Sequence, residues 1–207
     1  MFENIQAGII IAGGRSVRMG SDKALLPVGG RPLLAGVTEQ VAALCGKVLI
    51  VANGEQRLEQ YRAVIGEYAP GMKSVVRIVA DRYPGSGPLA GLEAGMSELP
   101  QQGYAFVLAC DMPHISTTLL QRMAERADGA ADVVHAAGQP FHALYHTRTA
   151  ETARRMLEEG DFRFMRLFER LRVTEVSPVS EEEAGAFVNL NTPQAYQRYV
   201  DNQENLD

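Results

Sequence analysis

Arg15, Arg18 and Lys23 fall within nine residues of one another, directly after Gly13-Gly14, in a chain of 207 residues whose formal net charge is -5. Positive charge gathered against the overall balance, behind glycines whose backbone can turn sharply and approach a ligand closely, is what an anion such as a phosphate requires. Asp111 poses the complementary problem. It follows the apolar run Phe106-Val107-Leu108-Ala109, where a carboxylate beside a low-dielectric interior costs energy without a partner. Mg2+ is the natural partner, since it takes hard oxygen ligands, commonly one or two carboxylates with substrate phosphates and water. Asn53 and Asp81 follow two further apolar runs, 47–52 and 75–80. Each also has a plain alternative, Asn53 as a turn pair with Gly54 and Asp81 as a cap. The familiar phosphate loops do not fit. Gly20 is followed by Ser21-Asp22-Lys23 where a P-loop needs Lys and Ser/Thr, and the pattern G-x-G-x-x-G is absent.

These groups have to be carried by something regular. Ala7 to Ala12 reads as a buried strand that opens into the glycine loop, and 47–52, 75–80 and 104–109 read as three more. Helices are expected between them: Pro32 to about Cys45, stopped by Gly46; about Glu55 to Gly66, with Leu58, Tyr61 and Ile65 on one face; and one opening near Leu89 after a stiff Gly/Pro-rich loop. Beyond Asp111, a helix from Thr117 to Asp128 and a strand over 132–136 are expected, then a turn and a short strand over 141–145 in a hairpin-like excursion. Two helices over 150–159 and 162–171, a strand over 172–176, an acidic turn over 180–183 and a short strand over 187–191 follow. Thr192 and Pro193 then suit the N-cap and first turn of a last helix.

Alternation of strand and helix predicts a single-domain α/β fold, a mainly parallel, doubly wound (Rossmann-like) sheet with helices on both faces, because parallel neighbours need crossover connections. In such a sheet the carboxyl ends share one edge. The glycine loop, Asn53, Asp81 and Asp111 would therefore converge on the crevice where these folds bind ligands.

Bulk properties narrow the classes. Hydrophobic residues make up 46% and charged residues 22%, and no apolar run is long enough for a membrane span, so no membrane association is expected. The N-terminus has no basic region before its apolar run, which argues against secretion and for the cytoplasm. Cys45 and Cys110 fit no metal spacing and read as reduced core thiols. The acidic balance and the lack of a long basic run speak against nucleic acid as a partner. Any nucleotide handled here would be free.

Seven segments then stand in one order: Ile11-Ala12-Gly13-Gly14, Met19-Gly20-x-Asp22-Lys23, Val51-Ala52-Asn53, Val79-x-Asp81, Gly87-Pro88-Leu89-Ala90-Gly91, Cys110-Asp111-Met112-Pro113 and Asn189-x-Asn191-Thr192-Pro193. As a set, spanning almost the whole chain, they resemble the molybdenum cofactor guanylyltransferases. The resemblance implies a nucleotidyltransferase-type fold and transfer of GMP from GTP to molybdopterin, giving the guanine dinucleotide form of the cofactor and pyrophosphate. It implies GTP contacts from Ile11, Ala12, Gly13, Lys23, Asn53, Asp81 and Asp111, with Asp111 also holding Mg2+, and acceptor contacts from Asn189 and Asn191. It makes molybdenum-insertion proteins and molybdoenzyme chaperones candidate protein partners. Ile11 in place of the usual leucine and Ala24 in place of glycine are mild departures. The stretch 160–166 is more aromatic than the arginine-rich segment often found there, which puts acceptor contacts from it in question.

On this reading Arg18, Lys23 and Asp111 are the catalytic candidates, with Arg18 and Lys23 toward the β- and γ-phosphates. His142 and His146 read as structural. The rivals are a cytidylyltransferase acting on the same pterin, another sugar-nucleotide pyrophosphorylase, and a non-catalytic nucleotide sensor. Against the first stand Gly13 and Cys110, where the CTP-using relatives resemble Leu-Ala-Ala-Gly and Gly-Asp-Met-Pro; removal of a Cβ at position 13 makes room for a purine.

Overall fold

The computed structural model describes residues 2, 4–13 and 22–204, so Arg15 and Arg18 lie outside the described residues. Its strands are β1 (Ile5–Ile11), β2 (Pro27–Val28), β3 (Arg31–Pro32), β4 (Val48–Ala52), β5 (Val76–Ala80), β6 (Tyr104–Ala109), β7 (Val133–Ala136), β8 (Gln139–His146) and β9 (Val173–Val176). Its α-helices are α1 (Leu33–Cys45), α2 (Glu55–Tyr68), α3 (Pro88–Met96), α4 (Thr117–Ala124), α5 (Thr149–Glu158), α6 (Phe164–Glu169), α7 (Glu181–Gly185) and α8 (Pro193–Glu204).

β1, β4 and β6 are near-continuous apolar runs because both of their faces are covered. Residues Gly8 to Ile11 pair in parallel with Val48 to Val51 on one side and with Phe106 to Ala109 on the other, which makes β1 an interior strand, third in a seven-stranded sheet ordered β5-β4-β1-β6-β8-β7-β9. Alternate strand residues feed two cores. Ile10, Ile50, Phe106 and Leu108 meet α1, α2 and α4, whereas Ile9, Val51, Ala105 and Val107 meet α3 and α5. The expected α/β architecture, a mostly parallel sheet with helices on both faces, is the one observed.

Two glycines let helices settle onto β1. A Cβ on Gly8 would lie 2.0 Å from Val41 Cγ1 of α1, and one on Gly95 of α3 would lie 2.7 Å from Ile9 Cγ2. Only a bare backbone allows that approach.

β8 alone runs against the rest, pairing antiparallel with both β6 and β7. The reason is the connection: only Ala137 and Gly138, the latter at φ 69°, separate β7 from β8, and so short a link can make a hairpin but not a parallel crossover. The start of β8 is thereby delivered to the same edge as the carboxyl ends of β1, β4, β5 and β6.

Some expectations are corrected. Residues 187–191 do not form a strand; beyond α7 the backbone makes a single bond to its neighbour, Leu190 N–H to the Asp111 carbonyl at 2.9 Å, and a ladder needs repeated pairing. The acidic turn at 180–183 is the start of α7, capped by Ser180 Oγ, which accepts from Glu183 N–H at 3.1 Å, with three glutamates favoured at that helix start. The Gly29-Gly30 turn joins the two-stranded ribbon β2–β3. The cap of α8 is as expected: Thr192 Oγ1 accepts from Ala195 N–H at 3.1 Å and Pro193 begins the helix. No helix among the described residues is long and apolar enough to cross a membrane.

Candidate active site

A cleft of about 460 Å³ opens at the carboxyl edge of the sheet. Ile11 to Gly13 from β1, Val51 to Asn53 from β4, Asp81 from β5 and Ala109 to Met112 from β6 line it, joined by Gly85, Gly87, Pro88 and Gly91 around the start of α3. Gln139 and Phe141 of β8 close one side, and Asn189 and Asn191 another.

One end is charged. Asp22 caps the 3₁₀ turn Lys23–Leu25, its Oδ1 accepting from Ala24 N–H at 3.1 Å, and this turn places Lys23 at the cleft wall. Lys23 Nζ lies 2.9 Å from Asp111 Oδ2, both side chains being largely shielded from solvent, and it also donates to Asn191 Oδ1. Asp22 is itself braced: its Oδ2 accepts from Arg57 Nε at 2.8 Å, and Tyr61 OH stands 2.9 Å from both that oxygen and the Ala12 carbonyl. Burial, and then the nearby Asp22 carboxylate, pushes the Tyr61 phenol far above its ordinary range, so it stays a donor. Its one proton serves one acceptor at a time.

The other end is polar. Asn53 and Asp81 directly follow the paired residues Ala52 and Ala80, so they project side by side from neighbouring strands, and Asp81 N–H bonds the Ala52 carbonyl at 2.9 Å. Asp81 Oδ1 accepts from Tyr83 N–H at 2.7 Å. Asp81 therefore braces a local turn and caps no helix, since the next helix starts at Pro88, and that bond takes up one of its oxygens. Burial raises the Asp81 carboxyl above the usual range, against the opposing pull of the Tyr83 bond. Asn53 Oδ1 accepts from Arg57 Nη1. Gly13 lies between the two ends. Among the described residues a Cβ there would meet nothing closer than the Asn53 backbone nitrogen at 3.5 Å, an ordinary contact, so the room it would take is the cleft's.

The third side belongs to the segment after α7. Leu190 is fully buried in the core and its N–H holds the Asp111 carbonyl, and the two flanking asparagines are thereby brought to the cleft. Asn189 Oδ1 is buried without a hydrogen-bond partner among the described residues. Phe141 packs against Phe164 of α6 with the rings tilted by 52° and their centroids 4.5 Å apart, which ties the aromatic stretch near 162–168 to the cleft rim.

Ile11, Ala12, Gly13, Lys23, Asn53, Asp81, Asp111, Asn189 and Asn191 thus face one space, and Arg18 lies outside the described residues. Sequence patterns did not single out Arg57, Gln139 or Phe141, and offered Tyr61 only as a core residue. The one available signal was the spacing of Asn53 and Arg57, four residues apart across a helix start. His142 is buried on the sheet face behind the cleft and His146 accepts from Arg148 N–H at 3.2 Å, so neither lines it. Burial raises the Cys45 thiol to about 12 and the Cys110 thiol further still, which leaves both unreactive.

Residues 8–175 match the model of the MobA-like NTP transferase domain. The chain belongs to the MobA-like NTP transferase family. It is accordingly an enzyme of the nucleotidyltransferase class. Among relatives, it is 32% identical over 192 residues to the molybdenum cofactor guanylyltransferase of Vibrio cholerae, covering 90% of this chain and 87% of that one. It is 28% identical over 197 residues to a probable molybdenum cofactor guanylyltransferase of Bacillus cereus, covering 92% and 93%. The fold is shared with molybdopterin-guanine dinucleotide biosynthesis protein A from Archaeoglobus fulgidus at a TM-score of 0.78 and 21% identity, over 95% of this chain and 98% of that one. In this MobA-like chain the cleft lies where open α/β sheets bind ligands, outside the carboxyl ends of the strands.

Proposed function

We propose that the chain transfers the GMP moiety of GTP to the terminal phosphate of molybdopterin and releases pyrophosphate. The observation that carries this reading is the order of groups along one cleft: Lys23 and Asp111 at a phosphate end, Asn53 and Asp81 at a base end, and Asn189 with Asn191 on a third side that adjoins the phosphate end through the Lys23–Asn191 bond, as a second substrate attacking there would need. The names of the relatives point the same way.

An oxygen of the acceptor phosphate attacks the α-phosphorus of GTP, forming one P–O bond as the bond to the β-phosphate breaks, and the electron pair leaves on pyrophosphate. Both reactants are anions. Positioning and charge neutralisation are therefore the protein's main contribution. Lys23 neutralises the leaving phosphates, Gly13 lets the nucleotide lie against bare backbone beside the small Ala12, and the Asn189 and Asn191 amides orient the acceptor. Arg18 belongs with Lys23 in this reading.

The donor set fits Mg2+. Asp111 Oδ1 has no protein partner among the described residues, and a single carboxylate with phosphate and water oxygens is an ordinary magnesium shell. When bound, the ion would screen charge growing on the leaving group. Gly13 supports guanine over cytosine, because the missing Cβ leaves cleft volume for a purine. Cytoplasmic action, with molybdenum-insertion proteins or molybdoenzyme chaperones as handover partners, accompanies the proposal.

The test is incorporation of α-labelled GTP into molybdopterin by the purified chain with Mg2+. One pyrophosphate per label incorporated, with CTP and ATP inactive, is the expected result. Equal labelling from CTP overturns the guanylyl assignment, and pyrophosphate release that does not depend on the pterin overturns the acceptor.

A further inference from the structure

We propose that Arg57 is a specificity-determining positioning residue, selecting guanine by fixing which way the Asn53 carboxamide faces. The proposal rests on the GTP reading above.

Arg57 sits in the first turn of α2, four residues after Asn53, and Gly54 at φ 81° turns the chain between them. Its Nη1 donates to Asn53 Oδ1 and its Nε to Asp22 Oδ2 at 2.8 Å. A guanidinium carries donors only. The amide atom turned toward it must therefore be the oxygen. The NH2 group is consequently the other arm, and among the described residues it has no protein partner. An asparagine that could have offered either an acceptor or a donor is held as a donor in the cleft wall.

The base groups that would meet it differ in sign. Guanine presents a carbonyl oxygen, O6, where adenine and cytosine present an amino group. Asn53 Nδ2 can donate to O6, but against an adenine or cytosine amine two donors would face each other and both would stay unsatisfied. Asp81, on the adjacent strand about 4.8 Å away by ordinary sheet spacing, offers an acceptor beside that donor. A donor next to an acceptor matches the O6 and N1–H edge of guanine and opposes the amine and bare-nitrogen edge of adenine. Arg57 thus acts through Asn53 without touching the nucleotide.

The experiment is calorimetric titration of GTP, ATP and magnesium pyrophosphate into the wild-type chain, Arg57→Met, Arg57→Lys and Asn53→Asp. The wild type is expected to prefer GTP to ATP; no preference there would sink the GTP reading itself and is visible before any variant is compared. Given that preference, Arg57→Met should lower the GTP-to-ATP affinity ratio by about tenfold or more, the scale of one base-edge discrimination, with pyrophosphate affinity within about twofold. Arg57→Lys should recover most of the ratio, because an ammonium also only donates. A ratio unchanged in Arg57→Met overturns the proposal. So does a parallel loss for all three ligands, which would place Arg57 in the service of Asp22 and the phosphate end. If Arg57→Met does not fold, the near-isosteric Asn53→Asp decides: replacing the donor by an oxygen should collapse the ratio, and a retained ratio overturns the inference.

Discussion

Acidification should cost this chain stability through one buried ring, His142. It lies on β8 opposite Leu108 of β6, fully buried, in T-shaped contact with Phe106 and Phe187 at centroid distances of 5.2 and 5.9 Å. Among the described residues neither ring nitrogen has a hydrogen-bond partner. Burial lowers its pKa to about 4, so the native state holds it neutral, whereas the unfolded chain titrates at the ordinary value near ~6.5. Between those two values the unfolded state takes up a proton that the native state refuses. The contribution is therefore whole above ~6.5 and is lost as the pH falls toward the native value. Moving from about pH 7 to about pH 5 should cost roughly 2 kcal/mol by linkage at this one site. His142→Leu removes the term, and near neutral pH it should also stabilise by about 1 kcal/mol because an unsatisfied polar group leaves the core. Urea unfolding followed by far-ultraviolet circular dichroism at several pH values, wild type against variant, isolates the site from every other titrating group. Parallel loss of stability in the two proteins across that window would refute the reasoning. Because Phe187 opens the segment that carries Asn189 and Asn191, the same protonation should loosen that side of the cleft first.

Gly95→Ala should destabilise by about 1–3 kcal/mol in urea, since its Cβ would overlap the stiff Ile9 side chain at 2.7 Å and crowd Val51 at 3.2 Å, more than offsetting the helix gain from alanine. Asp111→Asn should lower turnover by about 100-fold or more, while breaking the shielded Lys23 pair shifts stability by only ~1 kcal/mol; turnover surviving within a few fold would move the metal role to another carboxylate. Replacing Asn189 and Asn191 together by alanine should depress product formation while leaving the calorimetric GTP affinity nearly unchanged, and a large loss of that affinity would assign both residues to the nucleotide.

Local patterns in the chain were enough to locate β1, β4, β5 and β6 and the polar group after each, because an apolar β-branched run and the glycine or proline that ends it act over a handful of residues. Convergence of Gly13, Asn53, Asp81 and Asp111 followed from the rule that parallel strands share their carboxyl edge. Polarity was not readable in the same way. That Lys23 reaches Asn191, 168 positions away, and that Arg57 donates to the Asn53 oxygen, depends on which side chains packing brings within hydrogen-bond reach. The segment 187–191 alternates like a strand yet has no ladder to join, since Leu190 spends its N–H on the Asp111 carbonyl instead. Likewise the reversal of β8, which brings Gln139 and Phe141 to the cleft, is settled by a two-residue connection whose direction only the paired sheet determines. Strand identity is a property of a few neighbours along the chain, whereas a partner for a polar atom is a property of neighbours in space.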